Sequence, residues 1–232
     1  MYKVGHELIV PGARSFYPLL DITYKSEERK ILFSEYLIKT RKSYYDAKKI
    51  IPKGYRMSTA AEELALQLYL ERYGIDPRKA KIFDDLFGRD IESSYVWQWT
   101  ETGLRVPHGF RADKYEKDAK GRKYWPRIVL LEDKEVGEIL IPEGHGRVVV
   151  EWDEVFGLPK VTEDIEWPHK PFTTHFWFRP EDDDLAVRRG GFWHDDMSKW
   201  CLYVDAICKR VEEGSYGGFR LVHGPFPEIK KI

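Results

Sequence analysis

The chain has 232 residues, of which 42% are hydrophobic and 33% charged, a composition typical of a globular protein. Lys and Arg number 38 and Asp and Glu 39, and this balance argues against a dedicated nucleic-acid binder, which is usually strongly basic. No stretch approaches the roughly 18 apolar residues of a membrane span. The two cysteines are too few for a disulfide scaffold, and residues 1–11 lack a signal-peptide pattern.

The composition also indicates that the protein comes from an organism that grows at high temperature. The chain contains no Asn, and its only Gln residues are Gln67 and Gln98. Thermolabile amides are depleted, and Glu and Lys enriched, in proteins of hyperthermophiles. Aromatic residues make up 15% of the chain, with eight Trp and fourteen Tyr, which favours a core built on large rings. We therefore expect a thermophilic source.

The first half of the chain predicts short strands followed by one clear helix. Residues 1–50 have the pattern of strands with loops, with β-rich patches at 31–33 and 36–38. A helix is predicted over 60–73, because Ser58 or Thr59 followed by Glu62 and Glu63 is a capping-box signal. Gly74 then ends that helix.

The second half predicts mainly strands. After an aromatic segment at 95–100, residues 111–123 are charged and predict an exposed loop. Strands are predicted at 127–131, 137–141 and 147–152, and residues 201–208 alternate between apolar and other side chains. Alternation places Leu202, Val204, Ala206 and Cys208 on one face of that strand, and Cys201, Tyr203, Asp205 and Ile207 on the other.

Four separated segments resemble formylglycine-generating-enzyme-like domains. They are GYRMST with AEE at residues 54–63, VWQWT at 96–100, VRRGGFW at 187–193 and GFRLV at 218–222. Each segment is weak evidence alone, but all four occur in the order of that family. The resemblance implies an α+β, C-type-lectin-like fold, forming a single domain over 1–232 with a long central insertion at roughly 101–186. The scaffold residues would be Trp97, Trp99, Arg189, Gly190, Gly191, Trp193 and Arg220.

Because this fold hosts unrelated functions, the site residues must decide between them. One alternative is a copper oxidase that converts cysteine to formylglycine, using two cysteines in the C-terminal segment. Cys201 and Cys208 lie in that segment, but they are seven residues apart where the family pair is five apart. An odd offset sends strand residues to opposite faces, so one Cu(I) would require a bulge between them.

A second alternative is a calcium-dependent sugar lectin. The acidic turn at residues 181–184 offers hard oxygen ligands for Ca²⁺, although such exposed turns are usually only solvated. The chain has no Asn and no match to the short calcium motifs of those lectins. We therefore predict no metal site, no cofactor and no catalytic residue.

The third alternative is a variable protein of a diversity-generating retroelement, a class that also resembles this family. In that class, adenine-directed mutagenesis of AAY codons diversifies the segment between the RGG and GFR landmarks, here residues 194–217. Those codons can yield Tyr, Asp, His, Ser, Cys and Ile but not Trp, Lys, Glu or Met. The predicted ligand-binding residues are His194, Asp195, Asp196, Ser198, Cys201, Tyr203, Asp205, Ile207, Ser215 and Tyr216.

This third class is the interpretation we carry forward. An exposed set of Tyr, Asp, His and Ser is similar to the binding surface of an antibody, with rigid aromatic anchors and adaptable polar neighbours. The expected partner is an unidentified protein or glycan, on a cell surface or outside the cell, bound by a monomer. The long insertion and the thermophilic composition resemble archaeal members of the class.

Overall fold

The computed structural model describes residues 42–64, 95–144, 146–153, 155–164, 174–180, 184–192, 201–213 and 217–223, together with the backbone of short strands before residue 40. Helix α1 spans Tyr44–Lys49, and residues 60–64 are also helical. The strands are β1 (Leu8–Ile9), β2 (Phe16–Tyr17), β3 (Leu19–Thr23), β4 (Lys30–Ser34), β5 (Ile38–Lys39), β6 (Tyr55–Met57), β7 (Tyr95–Arg105), β8 (Glu116–Lys117), β9 (Lys123–Leu131), β10 (Glu135–Pro142), β11 (Arg147–Asp153), β12 (Leu158–Glu163), β13 (Thr174–Phe178), β14 (Leu185–Phe192), β15 (Cys201–Lys209), β16 (Gly217–Phe219) and β17 (Leu221–His223).

Mixed α and β structure with a sheet-rich body is therefore the observed class. The main sheet runs in the order β10-β9-β7-β14-β15-β13-β11-β12, and β16 pairs in parallel with β7. A smaller sheet has the order β3-β4-β17-β6, and β1 pairs with β2. Strand pairs are antiparallel except for β16 with β7 and β13 with β15, among the pairs described.

The main sheet wraps around its own core. Its two end strands, β10 and β12, contact each other, although no backbone ladder joins them. Each of the eight strands in the order above contributes at least one buried apolar side chain to one core cluster. Strands β9 to β13 come from the segment predicted as an insertion, so that segment shares its core with the rest of the chain.

A second core cluster lies on the other face of the sheet, which we call the outer face. There α1 and the strands β6, β16 and β17 pack over Trp99 and Ala186. Ser43 caps α1, because its side-chain hydroxyl accepts a hydrogen bond from the backbone N–H of Asp46 at 3.2 Å. The expectation of strands and loops alone before residue 51 is wrong here, because a six-residue helix is too short to show periodicity.

Several other predicted elements are confirmed where the structure describes them, whereas the predicted loop at 111–123 contains the short strand β8. The capping box forms: Thr59 Oγ1 accepts from the Glu62 backbone at 3.2 Å, and the Glu62 carboxylate accepts from the Thr59 backbone at 2.9 Å. The helix beyond residue 64 lies outside the described residues. Strands β9, β10 and β11 contain the three predicted strands. A bulge in β9 holds Arg127 at φ 59, next to Pro126, which has no N–H to donate.

Candidate functional site

Strand β15, which carries four of the predicted ligand-binding residues, lies in the middle of the main sheet. Asp205 pairs in register with Arg188 of β14 on one side and with Trp177 of β13 on the other. Arg188 in turn pairs with Trp99 of β7. Since paired residues share a face, these four side chains form one row across the outer face of four strands.

The centre of that row is a buried ion pair. Arg188 donates from Nε to Asp205 Oδ1 at 2.9 Å and from Nη2 to Oδ2 at 2.8 Å. Asp205 is fully buried and Arg188 is 7% exposed. The guanidinium carbon lies 5.0 Å from the ring centroid of Trp97 and 5.4 Å from that of Trp99. The geometry is the planar two-point contact that Arg makes with a carboxylate, held between aromatic rings.

The prediction that Asp205 is displayed on an exposed face is therefore wrong. β15 is an interior strand with β14 on one side and β13 on the other, and Asp205 is fully buried there. An acidic residue is tolerated at this buried position because its charge neutralises that of Arg188, a residue 17 positions earlier in the chain. Without knowledge of strand pairing, an Asp in an alternating run is indistinguishable from a solvated one.

The neighbouring row lies one step towards the start of β15. Gly190 pairs with Trp97 on one side and with Tyr203 on the other, and Tyr203 pairs with His175. The position of Tyr203 is thus on the same outer face as Asp205, flanked by a glycine that adds no side chain. Trp97 and Trp177, both half-buried, meet edge to face at 6.1 Å between ring centroids. Aromatic rings therefore border this part of the outer face.

A bulge changes the alternation near the end of β15. Arg188 pairs with Asp205 but Ala186 pairs with Cys208, so three residues of β15 span two of β14. The extra residue moves Cys208 to the face of Asp205, where it packs against the second core cluster. The prediction that Cys208 shares a face with Val204 and Ala206 is wrong for this reason, although those two residues do lie in the main core. Ile207 is half-buried.

The same pairing bears on copper binding. Cys201 pairs with Phe192, and Cys208 pairs with Ala186, six residues away on β14. At the strand rise of roughly 3.3 Å per residue, these positions are about 20 Å apart. Two ligands of one metal ion lie within a few ångströms of each other. The bulge therefore gives the two cysteines register positions on one face of the strand, but the spacing between these positions does not fit a shared Cu(I).

The other predicted ligand-binding residues lie outside the described residues. They are His194, Asp195, Asp196, Ser198, Ser215 and Tyr216, and Trp193 of the predicted scaffold is also outside. The described strands border both stretches: β14 ends at Phe192, which pairs with Cys201, and β16 begins at Gly217, which pairs with Trp97.

Two buried ion pairs hold the first motif segment: one lies within it, and the other joins it to the last segment, which is far away in sequence. Arg56 donates from Nη1 and Nη2 to the two oxygens of Glu62, both at 2.6 Å. Arg220 Nε lies 3.6 Å from Glu63 Oε1, and the Ser58 hydroxyl donates to that same oxygen. Burial raises the pKa of Glu63, although the charge of Arg220 opposes that shift. The first-turn glutamates thus serve as buried counter-ions as well as capping residues.

Arg189 faces the main core and ties the predicted insertion to the scaffold. Its Nη1 donates to the carbonyl of Gly157 at 3.0 Å, and its guanidinium lies 4.8 Å from the Trp152 ring centroid. Burial lowers the pKa of Arg189 to about 10. The expectation that Arg189 and Arg220 bind a carbonyl or carboxylate inside the fold is confirmed by these contacts.

Sequence reasoning missed a buried cluster beneath α1. Glu101 is fully buried and accepts from the Tyr44 hydroxyl at 2.6 Å and from Lys48 Nζ at 2.8 Å. Burial, with the charge of Glu101, raises the pKa of Tyr44. Arg210 lies 4.6 Å over the Tyr44 ring and donates to the Glu101 carbonyl. This cluster fixes α1 onto the sheet. No sequence motif indicates it, because its members come from three distant parts of the chain.

Glu132 makes folding stability depend on pH. Burial, followed by the charge of Glu62, raises its pKa from 4.5 to about 7. Between these pH values the folded chain keeps a proton that the unfolded chain has lost, so stability falls as pH rises through this range. We expect Glu132→Gln to be more stable than the wild type at pH 8, by on the order of 3 kcal/mol, and equally stable at pH 4.

Urea denaturation at the two pH values measures this difference. Glu138→Gln, an exposed carboxyl on β10, is the matched control and should change stability by no more than about 0.5 kcal/mol at either pH. Equal stabilities of Glu132→Gln and wild type at pH 8 would show that Glu132 ionises without cost.

Comparison of the chain with protein-family models, with curated proteins and with solved structures finds no match in any of the three. Among the described residues, no three or more His, Cys, Asp or Glu side chains are grouped so that they could hold a metal ion. No described helix is long and apolar enough to cross a bilayer. A proposal for function therefore rests on the motif segments and on the geometry of the outer face.

Proposed function

We propose that the chain is a non-catalytic ligand-binding protein with a C-type-lectin-like fold of the formylglycine-generating-enzyme-like subclass. Its C-terminal surface binds a protein or glycan partner. The variable positions of that surface, diversified by a retroelement, are Cys201, Tyr203 and Ile207 together with the loop residues His194, Asp195, Asp196, Ser198, Ser215 and Tyr216. Asp205 belongs to the scaffold, as its ion pair with Arg188 requires.

The observation that carries the proposal is the meeting of all four motif segments. Leu221 of the last segment pairs with Met57 of the first, and Phe219 pairs with Trp99 of the second. Gly190 of the third segment pairs with Trp97 of the second. Four segments separated by up to about 160 residues thus form one continuous unit beside β15. Such mutual contact is expected if the segments derive from one shared fold, and it is not expected of chance matches.

The geometry of the outer face supports a role in binding. Tyr203 occupies a register position between Gly190 and His175, bordered by Trp97 and Trp177. In the adjacent row, the Arg188–Asp205 pair is held against the rings of Trp97 and Trp99, and β15 has hydrogen-bonded neighbours on both sides. A rigid platform loses less conformational entropy when a ligand binds, so affinity depends on the displayed residues rather than on ordering the scaffold.

The alternative function is an oxidase that generates formylglycine with copper. The motif segments are compatible with it, but the spacing of about 20 Å between the positions of Cys201 and Cys208 is not. Cu(I) titration of the reduced protein, followed by the same titration of Cys208→Ser, tests this alternative. The binding proposal predicts no high-affinity Cu(I) site in either protein.

The decisive experiment is sequencing the gene and the DNA that follows it. The proposal predicts a near-copy of the segment encoding residues 190–222 next to a reverse transcriptase gene. The two copies should differ only where the second copy carries adenines, and codon 205 should be identical in both. Absence of such a copy would remove the diversification proposal, while copper binding that requires Cys208 would favour the oxidase.

A further inference from the structure

The main sheet leaves a groove along the seam between its end strands. Residues Ile139, Leu140 and Ile141 of β10 face Leu158 to Val161 of β12 across it, and its volume is about 540 Å³. The floor is apolar, and Leu140 is 53% exposed there. A volume of this size is within the range of pockets that bind small molecules, which are commonly lined by apolar side chains. We call this the seam groove.

A second cavity of about 460 Å³ adjoins the seam groove and is polar. It is lined by Lys120, Arg122, Lys123 and Arg147, with the carboxylates of Glu143 and Asp164. Arg122 and Tyr124 line both cavities, so the two cavities are direct neighbours. We call the polar part the basic pocket.

The cations of the basic pocket are incompletely neutralised. Arg147 is paired with Asp164 at 3.2 Å, but that aspartate is 91% exposed and its attraction is screened by water. Arg122 is paired with Asp118. Lys120 and Lys123 make no ion pair with any residue that the structure describes. The pocket therefore carries net positive charge and attracts an anion.

The basic pocket is also held in place before any ligand arrives. Asp118 accepts from the backbone of Lys120 and of Arg122, both at 2.9 Å, and from Arg122 Nε at 2.6 Å. Arg147 donates from Nη1 to the Glu143 carbonyl at 3.1 Å, while its buried Nε has no hydrogen-bond partner among the described residues. A fixed set of donors costs little ordering entropy when an anionic group binds.

From the contact between these two cavities we infer that the seam binds a free amphipathic anion: its apolar tail lies on Leu140 and Ile139, and its anionic head lies in the basic pocket. A small inorganic anion would leave the apolar floor exposed, and an uncharged chain would leave the cations without a counter-charge. Of the four carboxylates that line the seam groove, Glu151 pairs with Lys160 at 2.6 Å and Asp118 pairs with Arg122, while Asp153 accepts hydrogen bonds from the backbone of residues 155 and 156. This site is separate from the surface of β15 and does not depend on the proposed function.

Calorimetric titration of the full chain with decanoate, below its micelle concentration, tests the inference. Decanoate should bind with one site, and acetate, inorganic phosphate and the uncharged decyl maltoside should bind at least about tenfold more weakly. Binding of decanoate should weaken as salt is raised. Absence of decanoate binding, or equal binding of decyl maltoside or of acetate, would overturn the inference.

Two variants locate the site. Lys120→Ala removes a head-group cation and Leu140→Asp places a charge on the apolar floor, and each should raise the dissociation constant for decanoate about tenfold. The matched controls are Lys53→Ala, an exposed lysine elsewhere, and Val211→Asp, which alters a side chain that is 67% exposed. Both controls should bind decanoate as the wild type does.

Equal losses of decanoate affinity in the variants and in the controls would mean that decanoate binds elsewhere. All four altered side chains are exposed, so folding should survive each change, as thermal melting would verify.

Discussion

Replacing Asp205 with alanine is expected to lower the free energy of unfolding by about 3–5 kcal/mol, because the change leaves a buried guanidinium without its carboxylate. Asp205 is fully buried, and both of its oxygens accept hydrogen bonds from Arg188. Arg188 cannot lose its charge, and water has little access to it between Trp97 and Trp99. Urea denaturation followed by circular dichroism at pH 7 measures the loss.

Lys160→Ala is the matched control for this prediction. It removes one partner of the exposed Glu151–Lys160 bridge, whose side chains are 51% and 60% exposed, and should cost no more than about 1 kcal/mol. A double variant, Arg188→Met with Asp205→Leu, removes both charges together and should recover much of the stability lost by Asp205→Ala. If Asp205→Ala is as stable as Lys160→Ala, Asp205 is exposed to solvent and must again be counted among the candidate ligand-binding residues.

Replacing Gly157 with alanine is expected to cost at least about 3 kcal/mol, since two unfavourable effects combine at this position. Gly157 has φ +68, a conformation that side chains disfavour. A Cβ atom there would lie 2.2 Å from the carbonyl carbon of Ala60 and 2.3 Å from the nitrogen of Ala61, both backbone atoms. The turn between β11 and β12 would have to move away from the helix start, weakening the hydrogen bond from Arg189 to the Gly157 carbonyl.

Gly121→Ala separates the two effects. Gly121 has φ +77, but a Cβ atom there would meet nothing within 4 Å. Only the conformational cost of about 1–2 kcal/mol should remain in that variant. Thermal melting of both variants gives the comparison. Similar losses for Gly121→Ala and Gly157→Ala would mean that the turn does not pack against the helix start.

The elements predicted correctly from the sequence were those with local signals. The capping box is formed by Thr59 and Glu62, which are only three positions apart in the chain. Strand β11 is marked by alternating side chains within the strand and by the residues at its two ends. Helix α1 was missed because six residues are fewer than two turns. Strands β12 and β13 were missed because Pro159 interrupts the first and the second is only five residues long.

The predictions for the candidate site were less complete, and the failures have a common cause. The two faces of β15 were assigned by strict alternation, and the bulge before Cys208 reversed that alternation for the last residues of the strand. The burial of Asp205 depends on Arg188, which only strand pairing brings to it. Neither the seam groove nor the basic pocket has a motif, because their residues come from five strands, β8 to β12, and from the turns beside them.

The sequence by itself predicted a mixed α and β fold, the strong local elements and the four motif segments that the structure joins. Composition, periodicity and capping depend on residues a few positions apart, so they can be seen in one dimension. The tertiary structure alone decided which polar residues are buried counter-ions, where the sheet wraps upon itself and which cations share a pocket. Those properties depend on pairs such as Arg188 with Asp205, or Lys120 with Arg147, whose proximity arises only when strands pair.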